Sequence, residues 1–337
     1  MERRGLAADK VTDLMAHLAR QARLYGPVKD PGRHLPRFAE VSDPTKLVLD
    51  YKTTVLPPKR FFMPPVEDIF EFQRSSFETR QPVDVVEGPK ILVGLHNYDA
   101  EAIYYLDYQM SRGVPDEGWS ARREGWSFVG VSYEPDEAHF GPSVGVGPDH
   151  REGLDIFLDK AQGGYNVEIL TDRGRELVEG FSGMTEELLP AGPAPRFHNK
   201  LLPLYQDLPD LFDRSYDSPV WAEHSRRCFS CSSCTMVCPT CYCFDVYDAL
   251  ELDMDQGRRQ RRWDSCQVVP FTEVAGGEVF REKKESRVRH RIYRKFKYIT
   301  DHFGKPFCVG CGRCIRACPA KISISEVVND LARGAAS

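Results

Sequence analysis

The tightest constraint on this chain is a cysteine pattern that occurs twice. C-x2-C-x2-C-x3-C-P is spelled by Cys228, Cys231, Cys234, Cys238 and Pro239, and again by Cys308, Cys311, Cys314, Cys318 and Pro319. That spacing is the ligand signature of bacterial proteins carrying two [4Fe–4S] clusters. Two-residue gaps let a tight loop wrap three thiolates around one cube, and the three-residue gap turns the fourth toward the other cube. The expected ligation is therefore crossed, with Cys228, Cys231, Cys234 and Cys318 on one cluster and Cys308, Cys311, Cys314 and Cys238 on the other. Zinc is the competing chemistry, but C-x2-C zinc sites usually pair two such units across a finger or ribbon.

All eleven cysteines lie at or after Cys228, so a cysteine-free N-terminal part precedes a cluster-bearing part. A length of 337 residues suffices for two cores. The net charge of −5 argues against a nucleic-acid-binding protein. No apolar run has the length of a membrane helix, and the first ten residues lack the apolar core of a secretory leader. A cytoplasmic protein without membrane insertion is expected, where thiols serve as metal ligands rather than disulfides.

Periodicity places a helix on Val11, Leu14, Met15 and Leu18. Strands are expected at Ile91–Leu95, Ser127–Tyr133 and Tyr165–Leu170, with a helix after the first of these capped by Asp99 and ended at Gly113. Six prolines between Pro190 and Pro219 favour an extended connector. Between the motifs, Leu250, Leu252 and Met254 followed by Gln256-Gly257 read as a β-hairpin turning at the glycine. Val288, Ile292, Phe296, Ile299 and Phe303 then mark a helix stopped at Gly304.

The expected class is α+β: a helical segment (1–40), an α/β assembly domain (41–189), a proline-rich connector (190–217), a dicluster ferredoxin-like domain with a hairpin-and-helix insertion (218–328) and a tail (329–337).

Three further cysteines, Cys241, Cys243 and Cys266, admit two readings. They are buried thiols that tune cluster potential, or three ligands of a third metal or iron–sulfur site. The run Arg281–Lys297 holds nine Lys or Arg against two Glu. It is either a solvated helix face, a dock for an acidic partner, or a source of positive potential for reduced clusters. Gly145-Val146-Gly147 falls short of a dinucleotide fingerprint, so no flavin or nicotinamide site is evident. His96 and His139, near predicted strand ends, read as structural histidines, and no catalytic residue is assigned.

From Cys228 onward the chain resembles the β (iron–sulfur) subunit of cytosolic NAD(P)-linked [NiFe] hydrogenases, the sulfhydrogenases, and the 4Fe-4S dicluster subunit of anaerobic sulfite reductase. The strings that carry this are Cys228–Asp245, Trp263-Asp264-Ser265-Cys266, Val274-Ala275-Gly276-Gly277, and Arg287–Lys297 leading into Cys308–Ile315. Phe61–Phe70 and Phe128-Val129-Gly130-Val131 are similar too. The resemblance implies an electron-transfer subunit with two [4Fe–4S] clusters, working between a flavoprotein subunit linked to NAD(P)H and a catalytic metalloenzyme subunit. One departure stands out: relatives commonly carry C-F-C where this chain has His139, Phe140 and Gly141. The alternative is a redox subunit whose N-terminal domain itself binds flavin or substrate.

Overall fold

The computed structural model describes residues 2–80 and 85–335. The N-terminal part builds on β1 (Glu2–Ala7), α1 (Val11–Ala19), β2 (Arg23–Val28) and β3 (Arg37–Glu40). Next come β4 (Val66–Gln73), β5 (Glu78–Arg80), β6 (Lys90–Leu95), α2 (Asn97–Ser111), α3 (Glu117–Arg123) and β7 (Trp126–Val131). Then follow β8 (Ile156–Ala161), β9 (Gly164–Ile169), α4 (Asp172–Val178) and β10 (Met184–Thr185). One sheet has the order β10-β1-β9-β8-β7-β6-β2-β3. Its centre, β2-β6-β7-β8, is parallel, and the outer pairs are antiparallel. β6 is buried at every position, as suits the middle of a covered parallel sheet.

Residues 1–40, expected as a helical segment, instead contribute three strands to this sheet. Arg23–Val28 and Arg37–Glu40 carry too little alternation to announce a strand; pairing with β6 gives them that form. The strand β8 is likewise not marked by the sequence.

The C-terminal part contains α5 (Leu208–Arg214), α6 (Val220–Arg226), α7 (Ser233–Met236), β11 (Phe244–Leu250) and β12 (Gln256–Trp263). It ends with α8 (Lys284–Phe296), α9 (Thr300–Phe303), α10 (Arg313–Arg316) and α11 (Ile324–Ala335). The proline-rich stretch is not wholly extended: α5 starts with Pro209 in its first turn and buries Leu208, Leu211 and Phe212. The expected tail is mostly helix, because α11 runs to Ala335 and buries Val327, Val328 and Leu331. The helix expected to reach Phe303 breaks after Phe296, and α9 ends on Gly304 at φ +79°.

The hairpin between the motifs is not a separate insertion. β12 pairs with β4 of the N-terminal part, giving a second, antiparallel sheet of order β11-β12-β4-β5. Its turn lies at residues 251–255, not at Gln256-Gly257. The Asp253 carboxylate accepts the backbone N–H groups of Asp255 and Gln256, and Met254 takes φ +59°. Gly257 serves close packing instead, since a Cβ there would stand 2.5 Å from the Phe72 ring. Glu67 on β4 is buried between Arg122 of α3 and Arg261 of β12, and Arg261 also pairs with Asp116. The two parts of the chain therefore share one hydrophobic core.

Candidate iron–sulfur centre

Each cysteine motif is a loop leading into one turn of helix, α7 in the first and α10 in the second. The loops have the same backbone. Ser230 and Ser232 take φ +53° and +67°, and their counterparts Gly310 and Gly312 take +63° and +68°. This left-handed conformation normally selects glycine, yet the first loop uses serine. The difference lies in what covers each loop. A Cβ on Gly312 would lie 2.5 Å from the Ala138 carbonyl oxygen, and one on Gly310 would lie 2.5 Å from the Gly141 nitrogen. The first loop is open: Cys231 is exposed and Phe229 is 68% exposed.

The second loop is clasped by the N-terminal part. The Phe140 N–H donates to the Gly310 carbonyl at 2.9 Å. Arg316 pairs with Asp136 and donates to the Cys311 carbonyl at 2.9 Å. Arg313 donates to both carboxylate oxygens of Asp99, at 2.6 and 2.8 Å, and to Thr54. Asp99 is thus not the helix cap expected of it. His96 occupies the cap position of α2, and Asp99 lies inside the first turn facing Arg313. His139 is buried, with Nδ1 accepting the Asp136 N–H at 3.0 Å. His96 is also buried and its Nδ1 lies 2.6 Å from the Tyr98 hydroxyl.

Four thiols, Cys228, Cys231, Cys234 and Cys318, line one cavity together with Cys314. Around the second loop, burial first and then Cys314, Cys238 and Cys311 push the Cys308 thiol up. Burial likewise moves Cys311 to about 11, Arg313 opposing, with Cys238 and Cys314 adding to the rise. Cys234 is pushed up to about 12, again mainly by burial, with Arg291 opposing. Cys238 behaves otherwise. A hydrogen bond from Cys241 holds its pKa well down despite burial, and Lys295, Thr240 and Lys59 add to that.

All eleven cysteines are free. A tetrahedral zinc ion, with Zn–S near 2.3 Å, would hold its sulfurs roughly 3.8 Å apart. Among the described residues no three thiols come within 4.8 Å of one another; the group that does is Glu101, His150 and Glu152. Lys305, 3.6 Å from Glu101, already answers that group's charge. No three thiols are therefore placed for one tetrahedral zinc ion among the described residues. Cys241, Cys243 and Cys266 are likewise not placed for one zinc ion among the described residues. They form pairs, Cys241 with Cys238 and Cys243 with Cys266, in which Cys241 and Cys266 are raised chiefly by the shared hydrogen bond.

Charge supplies a second test of fit. Lys59, Arg287, Arg291 and Lys295 are buried. Their polar contacts are to backbone carbonyls and hydroxyls, and among the described residues none has a carboxylate partner. Buried cations are costly unless negative charge faces them. An oxidised [4Fe–4S] cube with four thiolates carries about −2, so two cubes bring about −4 against these four cations. The residues fit two clusters.

The sequence shows the basic run as a whole without singling these residues out. Arg287, Arg291 and Lys295 recur every fourth position on α8, a helical spacing that is readable. Lys59 has no local signal; its Nζ reaches the Cys241 carbonyl at 2.5 Å across 182 positions and sits 4.3 Å over the Trp263 ring.

A family model described as a 4Fe-4S dicluster domain matches residues 227–322, the span that contains both loops. Over 339 aligned residues, 34% are identical to the sulfhydrogenase 2 subunit beta of Pyrococcus furiosus, covering 98% of each protein. The chain belongs to the sulfhydrogenase β-subunit family. Membership and the dicluster match together make it an iron–sulfur electron-transfer protein with two [4Fe–4S] clusters. As in the sequence expectation, the architecture is α+β, with a mixed N-terminal sheet joined to the dicluster region. No described helix is long and apolar enough to cross a membrane.

Proposed function

We propose that this chain is the electron-relaying member of a cytoplasmic sulfhydrogenase-like complex, working between an NAD(P)H-linked flavoprotein partner and a catalytic metalloenzyme subunit. One observation carries the reading: two cysteine loops of matching backbone, flanked by buried cations, in a chain that matches a sulfhydrogenase β subunit over 98% of each protein. When bound, the clusters each take up and release one electron. The ligands in this proposal are crossed, with Cys228, Cys231, Cys234 and Cys318 on one cluster and Cys308, Cys311, Cys314 and Cys238 on the other. Support comes from the shared cavity of the first four thiols and from the influence of Cys238 on Cys308 and Cys311.

The remaining residues set conditions for those thiolates. Lys59 and Lys295 offset negative charge near Cys238. Cys241 and Cys266 serve as S–H donors that tune the neighbouring sulfurs rather than as ligands of a third site. Arg313, Arg316 and the segment around Phe140 shield the second loop, while the exposed rim at Phe229 and Cys231 leaves the first loop approachable by a partner.

Anaerobic purification of the native assembly tests this. The expected result is co-purification with a flavoprotein and a metal-containing catalytic subunit, and, for the chain purified by itself with its clusters intact, about eight iron and eight sulfide. Reduction of NAD(P)+ or sulfite by the purified chain without any partner would overturn the relay reading.

A further inference from the structure

Arg291 occupies the middle of the α8 edge that faces the cysteine loops. Its side chain lines the cavity holding Cys228, Cys231, Cys234 and Cys318, which Cys314 of the other motif also bounds. The residue is 8% exposed. Its Nη2 lies 3.5 Å from the Cys234 carbonyl oxygen, a long contact, and its Nε has no hydrogen-bond partner among the described residues. One turn away on either side the cations are tied down: Arg287 by the Gln267 carbonyl and Ser230, Lys295 by Thr240. Of the three, Arg291 is the one that lines this cavity, and among the described residues its Nε has no partner there. Burial by itself disfavours its charge, but the thiols of Cys234, Cys314, Cys241 and Cys238 outweigh that.

We propose that Arg291 is a counter-ion shared by the two clusters, a fixed positive charge between the cysteine loops that makes both easier to reduce. The proposal rests on the two-cluster reading above. Cluster reduction adds one electron and no proton, so the charge of each goes from about −2 to −3, and an electron on one repels arrival of an electron on the other. A guanidinium does not titrate, so it offsets this repulsion at any working pH. In a low-dielectric cavity bordered by thiols of both motifs, the offset acts on both clusters. The electrons come from the donor protein in the assembly and from dithionite in the experiment.

The test is an anaerobic redox titration of the intact, cluster-loaded chain followed by electron paramagnetic resonance. The variants are Arg291→Gln, Arg291→Lys and the exposed control Lys284→Gln. In Arg291→Gln the reduced-to-oxidised ratio at a fixed potential is expected to fall about tenfold for both clusters, equivalent to about 59 mV for a one-electron couple. Arg291→Lys and Lys284→Gln should stay near the wild type. Unchanged potentials in Arg291→Gln, a shift in one cluster only, or an equal shift in Arg291→Lys would overturn the proposal. If Arg291→Gln does not load clusters, loading of Arg291→Lys at wild-type potentials supports the need for charge, and its failure to load shows a packing role instead. Wild-type iron and sulfide far from about eight each would instead refute the two-cluster reading itself.

Discussion

Asp99, in the first turn of α2, and Arg313, between the second and third cysteines of the second motif, form a bidentate ion pair with side chains 0% and 1% exposed. The pair spans 214 residues and joins the N-terminal sheet domain to a metal-binding loop. Burial raises the Asp99 pKa, with Arg313 opposing. Arg313 meanwhile satisfies its other donors on Thr54.

Removing one member of this pair leaves an uncompensated charge inside the protein. Asp99→Ala is expected to destabilise the chain by about 3–5 kcal/mol. In a double-mutant cycle, Asp99→Ala combined with Arg313→Met should be less destabilised than the sum of the single variants. Chemical denaturation of the four proteins measures this, and strict additivity would show that the two side chains are not coupled.

The ligand assignment is tested at its most diagnostic residue, Cys238. Cys238→Ser is expected to damage the cluster held by Cys308, Cys311 and Cys314 while the other survives. Electron paramagnetic resonance with iron counting distinguishes the two; selective loss of the cluster at Cys228, Cys231 and Cys234 would contradict crossed ligation.

The matched loops predict opposite tolerances at equivalent positions. Gly312→Ser should destabilise by at least about 2 kcal/mol, because its Cβ would run into the Ala138 carbonyl. Ser232→Gly has the same backbone angle but no such cover, and should be neutral or stabilising within about 1 kcal/mol. Thermal unfolding of both variants checks the contrast, and similar behaviour of the two would remove the steric explanation.

Acid sensitivity should have a contribution from Glu168, buried between Arg151 and Arg3. Burial raises its pKa, but hydrogen bonds from Arg151 and Arg3 outweigh this and hold it below 4.5. The unfolded chain therefore binds the proton more tightly. The stabilisation is complete above pH 4.5 and is lost as pH falls through the native value. Glu168→Gln should cost about 2 kcal/mol at pH 7 and flatten the stability profile below pH 4.5, as read by denaturant titration across pH. A profile parallel to the wild type would place the acid sensitivity elsewhere.

The cysteine loops were legible because their information is local: a few residues of fixed spacing define how many thiolates can reach one object. β6 and β7 were legible for a similar reason, as short apolar runs that suit a covered parallel sheet. Gly257 misled, since glycine marks both turns and close packing, and only the approach of Phe72 separates the two uses. Asp99 misled in the same way, being as suitable for a helix cap as for an ion pair.

The sequence by itself determined the metal chemistry and the helical period of α8, within which Arg287, Arg291 and Lys295 recur without being singled out. Tertiary structure alone decided which loop is covered and which open, that β12 pairs with β4, and that those cations point inward. The physical reason is range. Thiol spacing and helical period act over a few residues, whereas the covering of Gly312 by Ala138 and the pairing of Arg313 with Asp99 arise only when distant segments share one core.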